Sequence, residues 1–172
     1  MPRHDPVPQG AHSLSEQKLP FEVIRARRAG ARLAAVQALY EMEQTEKSAK
    51  ATIRAFMEDR LGIGPDERPV EEADPDLFKA ILNAVVEHQA VIDTAILSRL
   101  SEGWKLTRLD ATTRAILRAG AAEFIVHQEL SEAVILDEYV SLAYDFFDET
   151  EAKFVNAVLQ NVGRDLRKGN AA

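Results

Sequence analysis

Residues 25–40 read RARRAGARLAAVQALY, an arginine-dense stretch that runs without a break into an amphipathic helix. Leu33, Val36, Gln37 and Tyr40 recur at the i, i+3, i+4, i+7 spacing of one helical face, which predicts a helix beginning near Phe21. At about 100° per residue, Arg25, Arg28 and Arg32 share a stripe beside that face. Three guanidinium groups in line can follow a phosphate backbone, each making paired hydrogen bonds that a lysine point charge does not make. The competing reading is a solvated surface whose arginine stems cover apolar neighbours. Helix N-termini disfavour cations, so a cluster placed where it costs stability points to a partner.

Downstream, every segment with clear apolar periodicity has the helical period. A second helix is expected over Ala49–Leu61, with Ile53, Phe56 and Met57 inward and Gly62, Gly64 and Pro65 ending it. An acidic loop follows over residues 65–76. A third helix is expected from Pro75 to about Leu100, with Phe78, Ile81, Leu82, Val85, Ile92 and Ile96 on one side. Trp104 falls in a short linker. The next helix, about Asp110 to Gln128, buries Thr113, Ile116, Leu117, Gly120 and Phe124, with Gly120 allowing close helix contact. After Ser131, Ile135, Tyr139, Leu142 and Phe146 share one side, and Asp137, Glu138, Ser141 and Asp145 the other. Asp148 with Glu151 reads as a helix start. The last helix carries an apolar seam of Val155, Val158, Leu159, Val162 and Leu166. The fold class is therefore all-α, about six or seven helices that the length allows as one domain or two small helical subdomains, after a disordered leader over 1–21.

Charge sharpens the reading of the first helix. The chain is 172 residues long with a formal charge of −7, whereas segment 21–32 sets four arginines against Glu22, a balance of +3 that leaves −10 for the rest. A surface of that sign repels nucleic acid nearly everywhere, so affinity for RNA or DNA has to concentrate at this end. The absence of cysteine excludes disulfides, a thiolate nucleophile and cysteine-type zinc sites, and fits a cytoplasmic protein. No apolar run approaches the roughly 20 residues of a membrane span, and the first twenty residues, with Pro2, Pro6, Pro8 and Pro20, lack the apolar core of a secretory signal.

Few residues suggest chemistry. Leu61-Gly62-Ile63-Gly64 lacks the spacing, the following Lys-Ser/Thr and the preceding strand of a phosphate loop. His88 stands alone, and His4, His12 and His127 have no i, i+4 partner for a metal, so neither metal nor cofactor is expected. Adjacent carboxylates such as Asp137 and Glu138, or Asp148 and Glu149, point about 100° apart on a helix and do not converge on one substrate atom, which argues against a small helical enzyme. Phe154 lies about 100° from Val155, off the seam, with Lys153 beside it. A ring to stack a base and a cation to meet phosphate is one way single-stranded nucleic acid is held. Packing at the rim of the core is the other reading of Phe154.

Three collinear stretches carry a resemblance. They are Ala31-Arg32 with Ala35-Val36-Gln37-Ala38-Leu39-Tyr40; Thr113 to Phe124, with its Arg-x-Gly/Ala-x-x-Glu pattern; and Val134-Ile135-Leu136-Asp137-Glu138 with Leu142-Ala143, Phe146 and Lys153-Phe154-Val155-Asn156-Ala157-Val158-Leu159. In order and spacing, from residue 25 to about 167, the chain resembles the NusB family of transcription antitermination factors. That resemblance implies an all-α fold of two helical subdomains, here 22–103 and 104–168, no catalysis, and binding of boxA-type RNA together with the ribosomal protein NusE, within a transcribing RNA polymerase complex that holds other Nus factors. It implies RNA contacts at Arg28 and Arg32, with Arg25 and Arg27 as nearby candidates, and at Phe146, Thr150, Lys153 and Phe154. It assigns Gln37 and Tyr40 to a partner-binding surface. A homodimer that hides the RNA surface is compatible with all of this.

The chain departs from the family pattern at three places. Ala29-Gly30 interrupts the arginine triplet, Phe147 stands where a glycine follows the first aromatic, and Thr150 replaces an acidic residue. Loss of a carboxylate beside a phosphate path removes like-charge repulsion, so Thr150 is expected to strengthen RNA binding. Two other readings compete. The NusB-like domain of ribosomal RNA cytosine methyltransferases belongs to enzymes with an α/β domain and a nucleophilic cysteine, and this chain has neither. A helical protein-interaction scaffold would turn its arginines toward an acidic partner.

Overall fold

The computed structural model describes residues 19–61 and 72–168. Most of the expected leader, the Gly62, Gly64 and Pro65 stop signal, and much of the 65–76 loop lie outside those residues. Among the described residues there are seven α-helices, one 3-10 turn and no strand, so the all-α expectation holds. The helices are α1 (Phe21–Thr45), α2 (Ala49–Asp59), α3 (Pro75–Glu87), α4 (Gln89–Leu97), α5 (Ala111–Val126), α6 (Glu132–Phe146) and α7 (Glu149–Lys168), with the 3-10 turn at Leu106–Arg108.

Short polar side chains set most of the helix starts by accepting orphan backbone N–H groups. Ser48 caps α2 through the Ala51 amide at 3.1 Å, and Asp74, just before Pro75, caps α3 through the Asp76 amide at 3.0 Å. Asp110, Ser131 and Asp148 do the same for α5, α6 and α7. Helix α1 has no side-chain cap and follows Pro20 directly.

Of the four residues on the face expected for α1, only Val36 is fully buried. Ala31, Ala35 and Ala38 are fully enclosed, whereas Leu33 and Gln37 are half-buried and Tyr40 is 42% exposed. Alanines carry little hydrophobic weight in a periodicity reading, yet they let α3 and α5 approach the α1 backbone closely. The expected third helix is also two. At His88 the backbone leaves helical geometry, with φ −112° and ψ 23°, and α4 departs from α3 at 80°. The apolar spacing runs in phase across this break, since Val85 and Ile92 are seven apart. The bend is therefore tertiary in origin: it turns Ile92 and Ile96 into the core, while Asp93 meets Arg118 of α5 at 2.9 Å and Arg99 grips Asp165 of α7 at 2.7 and 2.6 Å.

Helix α5 is central, packed by α1, α3, α4, α6 and α7. Its contact with α7 depends on two glycines. A Cβ at Gly120 would lie 2.9 Å from Leu159, and one at Gly163 would lie 2.6 Å from the Phe124 ring. Near the far end of α7, Arg167 donates to the carbonyls of Phe124 (3.2 Å), His127 (3.1 Å) and Leu130 (2.7 Å), gathering the last turn of α5 and the bend into α6. Buried residues from all seven helices form one cluster across the 103/104 boundary. No single helix among the described residues is long and apolar enough to cross a membrane.

Candidate nucleic-acid interface

The arginines of α1 meet four different environments. Arg25 is well exposed, its side chain 69% accessible, and its Nε donates to Glu138 of α6 at 3.4 Å. Arg27 donates to the Glu72 carbonyl at 3.1 Å, and its own carbonyl accepts from the Asp74 amide at 2.9 Å, so it ties α1 to the entry of α3. Arg28 is half-buried and forms no ion pair among the described residues. Arg32 departs from the expected exposed stripe, being only 2% accessible. Its Nε and Nη2 grip the two oxygens of Glu123 at 2.8 and 2.7 Å, and its Nη1 lies 3.6 Å from Glu138. The common stripe exists, but it runs along α1 into the bundle. A guanidinium placed there is consumed by the core and does not reach phosphate.

Sequence reasoning missed the group that holds Arg32. Glu123 is fully buried, accepts from the Tyr139 hydroxyl at 2.8 Å, and lies 2.9 Å from His127 Nδ1. Burial pushes its carboxyl upward, but the hydrogen bonds from Arg32 and His127 and the charge of Arg32 override that and hold it at about 2. Tyr139, enclosed and beside Glu123, is pushed well above its ordinary value, by burial first and the neighbouring carboxylate second, so its hydroxyl stays a donor. The available signal was Glu123 itself, a lone carboxylate in the apolar run LRAGAAEF, which requires a buried cation.

The second group sits where α6 turns into α7. Phe146, at the end of α6, is 43% exposed, and its ring centre is 6.4 Å from that of the half-buried Phe147. Thr150 is exposed in the first turn of α7, and Lys153 is exposed with its Nζ 3.1 Å from Glu149. Phe154 is half-buried against the core, which leaves part of its ring accessible and supports rim packing for the remainder. The Thr113 hydroxyl donates to Glu151 at 3.3 Å and fixes this corner to the start of α5. Helix α6 links the two groups: Glu138 beside Arg25 and Phe146 at the corner are eight residues apart, about 12 Å along the axis. Gln37 and Tyr40 lie on the side of α1 turned away from its alanine seam, apart from both.

This arrangement offers exposed cations, an exposed ring beside a partly covered one, and a hydroxyl where a carboxylate would repel phosphate. It can bind an anionic strand that has unstacked bases. No cluster of three or more histidine or acidic side chains suited to a metal ion occurs among the described residues.

Comparison with known proteins gives the arrangement its context. The NusB family model matches residues 29–164. The chain is 82% identical over 151 residues to the transcription antitermination protein NusB of Hyphomonas neptunium, covering 88% of this chain and 98% of that one. Among solved structures it is similar to T. maritima NusB, with a TM-score of 0.65 and 25% identity over 87% of this chain and 94% of that one. It is also similar to a NusB chain crystallised with NusE and double-stranded RNA, with a TM-score of 0.64 and 26% identity over 81% of this chain and 97% of that one. Since the match over residues 29–164 reaches from within α1 through the α6–α7 corner and nearly to the end of α7, the chain belongs to the NusB family.

Proposed function

We propose that this chain is a transcription antitermination factor that works by binding and not by catalysis: it holds boxA-type single-stranded RNA jointly with NusE, in the cytoplasm, as part of a transcribing RNA polymerase complex with other Nus factors. The observation that carries the reading is the likeness to a NusB chain seen with NusE and RNA, joined to exposed Arg25 and Phe146 on elements that meet at α6. Arg25 and Arg28 take phosphates, Phe146 and the accessible part of Phe154 stack bases, and Lys153 supports the backbone beside Phe154. Arg27 and Arg32 hold α1 in place for the others. Gln37 and Tyr40 face a protein partner. We further propose that residues 22–103 and 104–168 form two helical subdomains with one shared core.

Two aromatics and a few phosphates provide modest affinity, because each stacked base contributes roughly 1–3 kcal/mol. A partner that contacts the same RNA raises affinity without new contacts from this chain. The test is fluorescence anisotropy with boxA-like and scrambled single strands, with and without NusE. Sequence-dependent binding that NusE tightens and that Arg28→Ala weakens supports the proposal. Equal binding of both strands, unchanged by NusE, sinks it.

A further inference from the structure

We propose that Glu138 is a positioning residue for RNA binding: it holds Arg25 by the Nε edge so that the two Nη groups present a ready-made fork to a phosphate. The inference rests on the RNA-binding reading above and names a residue that this reading does not use. A guanidinium carries five N–H donors, one on Nε and four on the two Nη atoms. In Arg25 only the Nε–H has an acceptor among the described residues, Glu138 Oε1 at 3.4 Å. The acid lies beneath the cation: the Glu138 side chain is 16% exposed and that of Arg25 69%. The Nη1/Nη2 edge, which remains able to make paired hydrogen bonds with phosphate, is thus left to solvent on a long side chain that would otherwise sample many rotamers.

Glu138 is itself anchored. Its other oxygen faces Arg32 Nη1 at 3.6 Å, and Arg32 is locked into Glu123, which the neighbouring Tyr139 also holds. A relay of alternating charge therefore runs from the core to one surface arginine. Arg32 and Glu123 cancel each other, and Glu138 balances Arg25. A phosphate on the Nη edge has the guanidinium between it and the Glu138 carboxylate, so geometry favours presentation of the arginine over competition for it. Fixing a side chain beforehand lowers the ordering cost that binding would otherwise carry. Arg28, three residues on, has no such acid among the described residues and serves as the internal control.

The experiment is a double-mutant cycle read by anisotropy of a labelled boxA-like strand with the full chain, each variant first checked for an unchanged helical circular dichroism spectrum and melting temperature. Glu138→Ala is expected to weaken binding roughly tenfold, the scale of one charged hydrogen-bonded contact. Arg25→Ala should do the same, and the double variant should be no weaker than Arg25→Ala alone. Combined with Arg28→Ala, the loss from Glu138→Ala should multiply in full. Glu138→Gln, which keeps an acceptor for Nε, should restore most of the affinity. Tighter binding in Glu138→Ala and Glu138→Gln would make the acid a competitor for Arg25 and overturn the proposal. An equal loss in the Arg25→Ala background would mean general loosening of the fold and would overturn it as well. If the unmodified chain fails to bind the strand, the RNA-binding reading falls first. If it binds and only Glu138→Ala is silent, the positioning role alone falls.

Discussion

Protonating Glu123 would leave the buried Arg32 guanidinium with only the more distant Glu138 carboxylate, 3.6 Å from its Nη1, as counter-charge, which ties stability to pH. The carboxyl is held at about 2, below its ordinary value of 4.5, so its contribution is fully present above about pH 4.5 and disappears as pH falls toward 2. The gap corresponds to on the order of 3 kcal/mol. Urea denaturation from pH 6 to pH 3 should show the loss, and Glu123→Gln should flatten that slope while lowering stability at neutral pH by about 3–5 kcal/mol. At the α6–α7 corner, Thr150→Asp returns a carboxylate to the proposed phosphate path and should weaken boxA binding; stronger binding by that variant would refute the role of Thr150. Phe146→Ala should cost roughly 1–3 kcal/mol of RNA affinity while leaving melting behaviour nearly unchanged, because the ring is 43% exposed. At this scale the sequence was legible for the exposure of Arg25 and misleading for that of Arg32. A stripe on a helical wheel does not say which end of it enters a neighbouring helix, and only the lone carboxylate of α5 hinted at the answer.

Helices were the most legible level, because their signals are local. The capping side chains of α2, α3, α5, α6 and α7 stand immediately before the elements they start, and the α7 seam from Val155 to Val162 is buried as its spacing requires. The misreadings at this level have tertiary causes. The bend at His88 keeps the apolar residues in phase, so nothing in the period marks it, and the enclosed face of α1, joined by Val36 and Leu39, is mostly alanines that a hydrophobicity reading underweights. Gly120 was read as a close-contact site and the geometry agrees, whereas its counterpart Gly163 was not singled out. Gly163→Ala sets about 1 kcal/mol of gained helix propensity against an overlap with the Phe124 ring, itself enclosed and unable to swing away. Overpacking of this kind costs typically 1–3 kcal/mol, so the net effect expected in thermal melts is destabilisation.

For the whole molecule, the uneven charge separates capture from repulsion. A chain of −7 whose proposed RNA contacts use few cations should bind RNA with a shallow salt dependence, the logarithmic slope falling by about 0.7 for each phosphate contact removed. Arg25→Ala and Arg28→Ala should each shift that slope. That the chain folds as helices followed from composition and period; that one buried cluster spans them with α5 at its centre did not, because pairing between distant helices leaves no mark at the period of either. Arg167 adds a temporal consequence. The three carbonyls it gathers belong to the end of α5 and the bend into α6, some forty positions earlier in the chain. During synthesis the ribosome releases these segments well before it releases Arg167, so the central helix waits, unfinished at one end, for a side chain that emerges late.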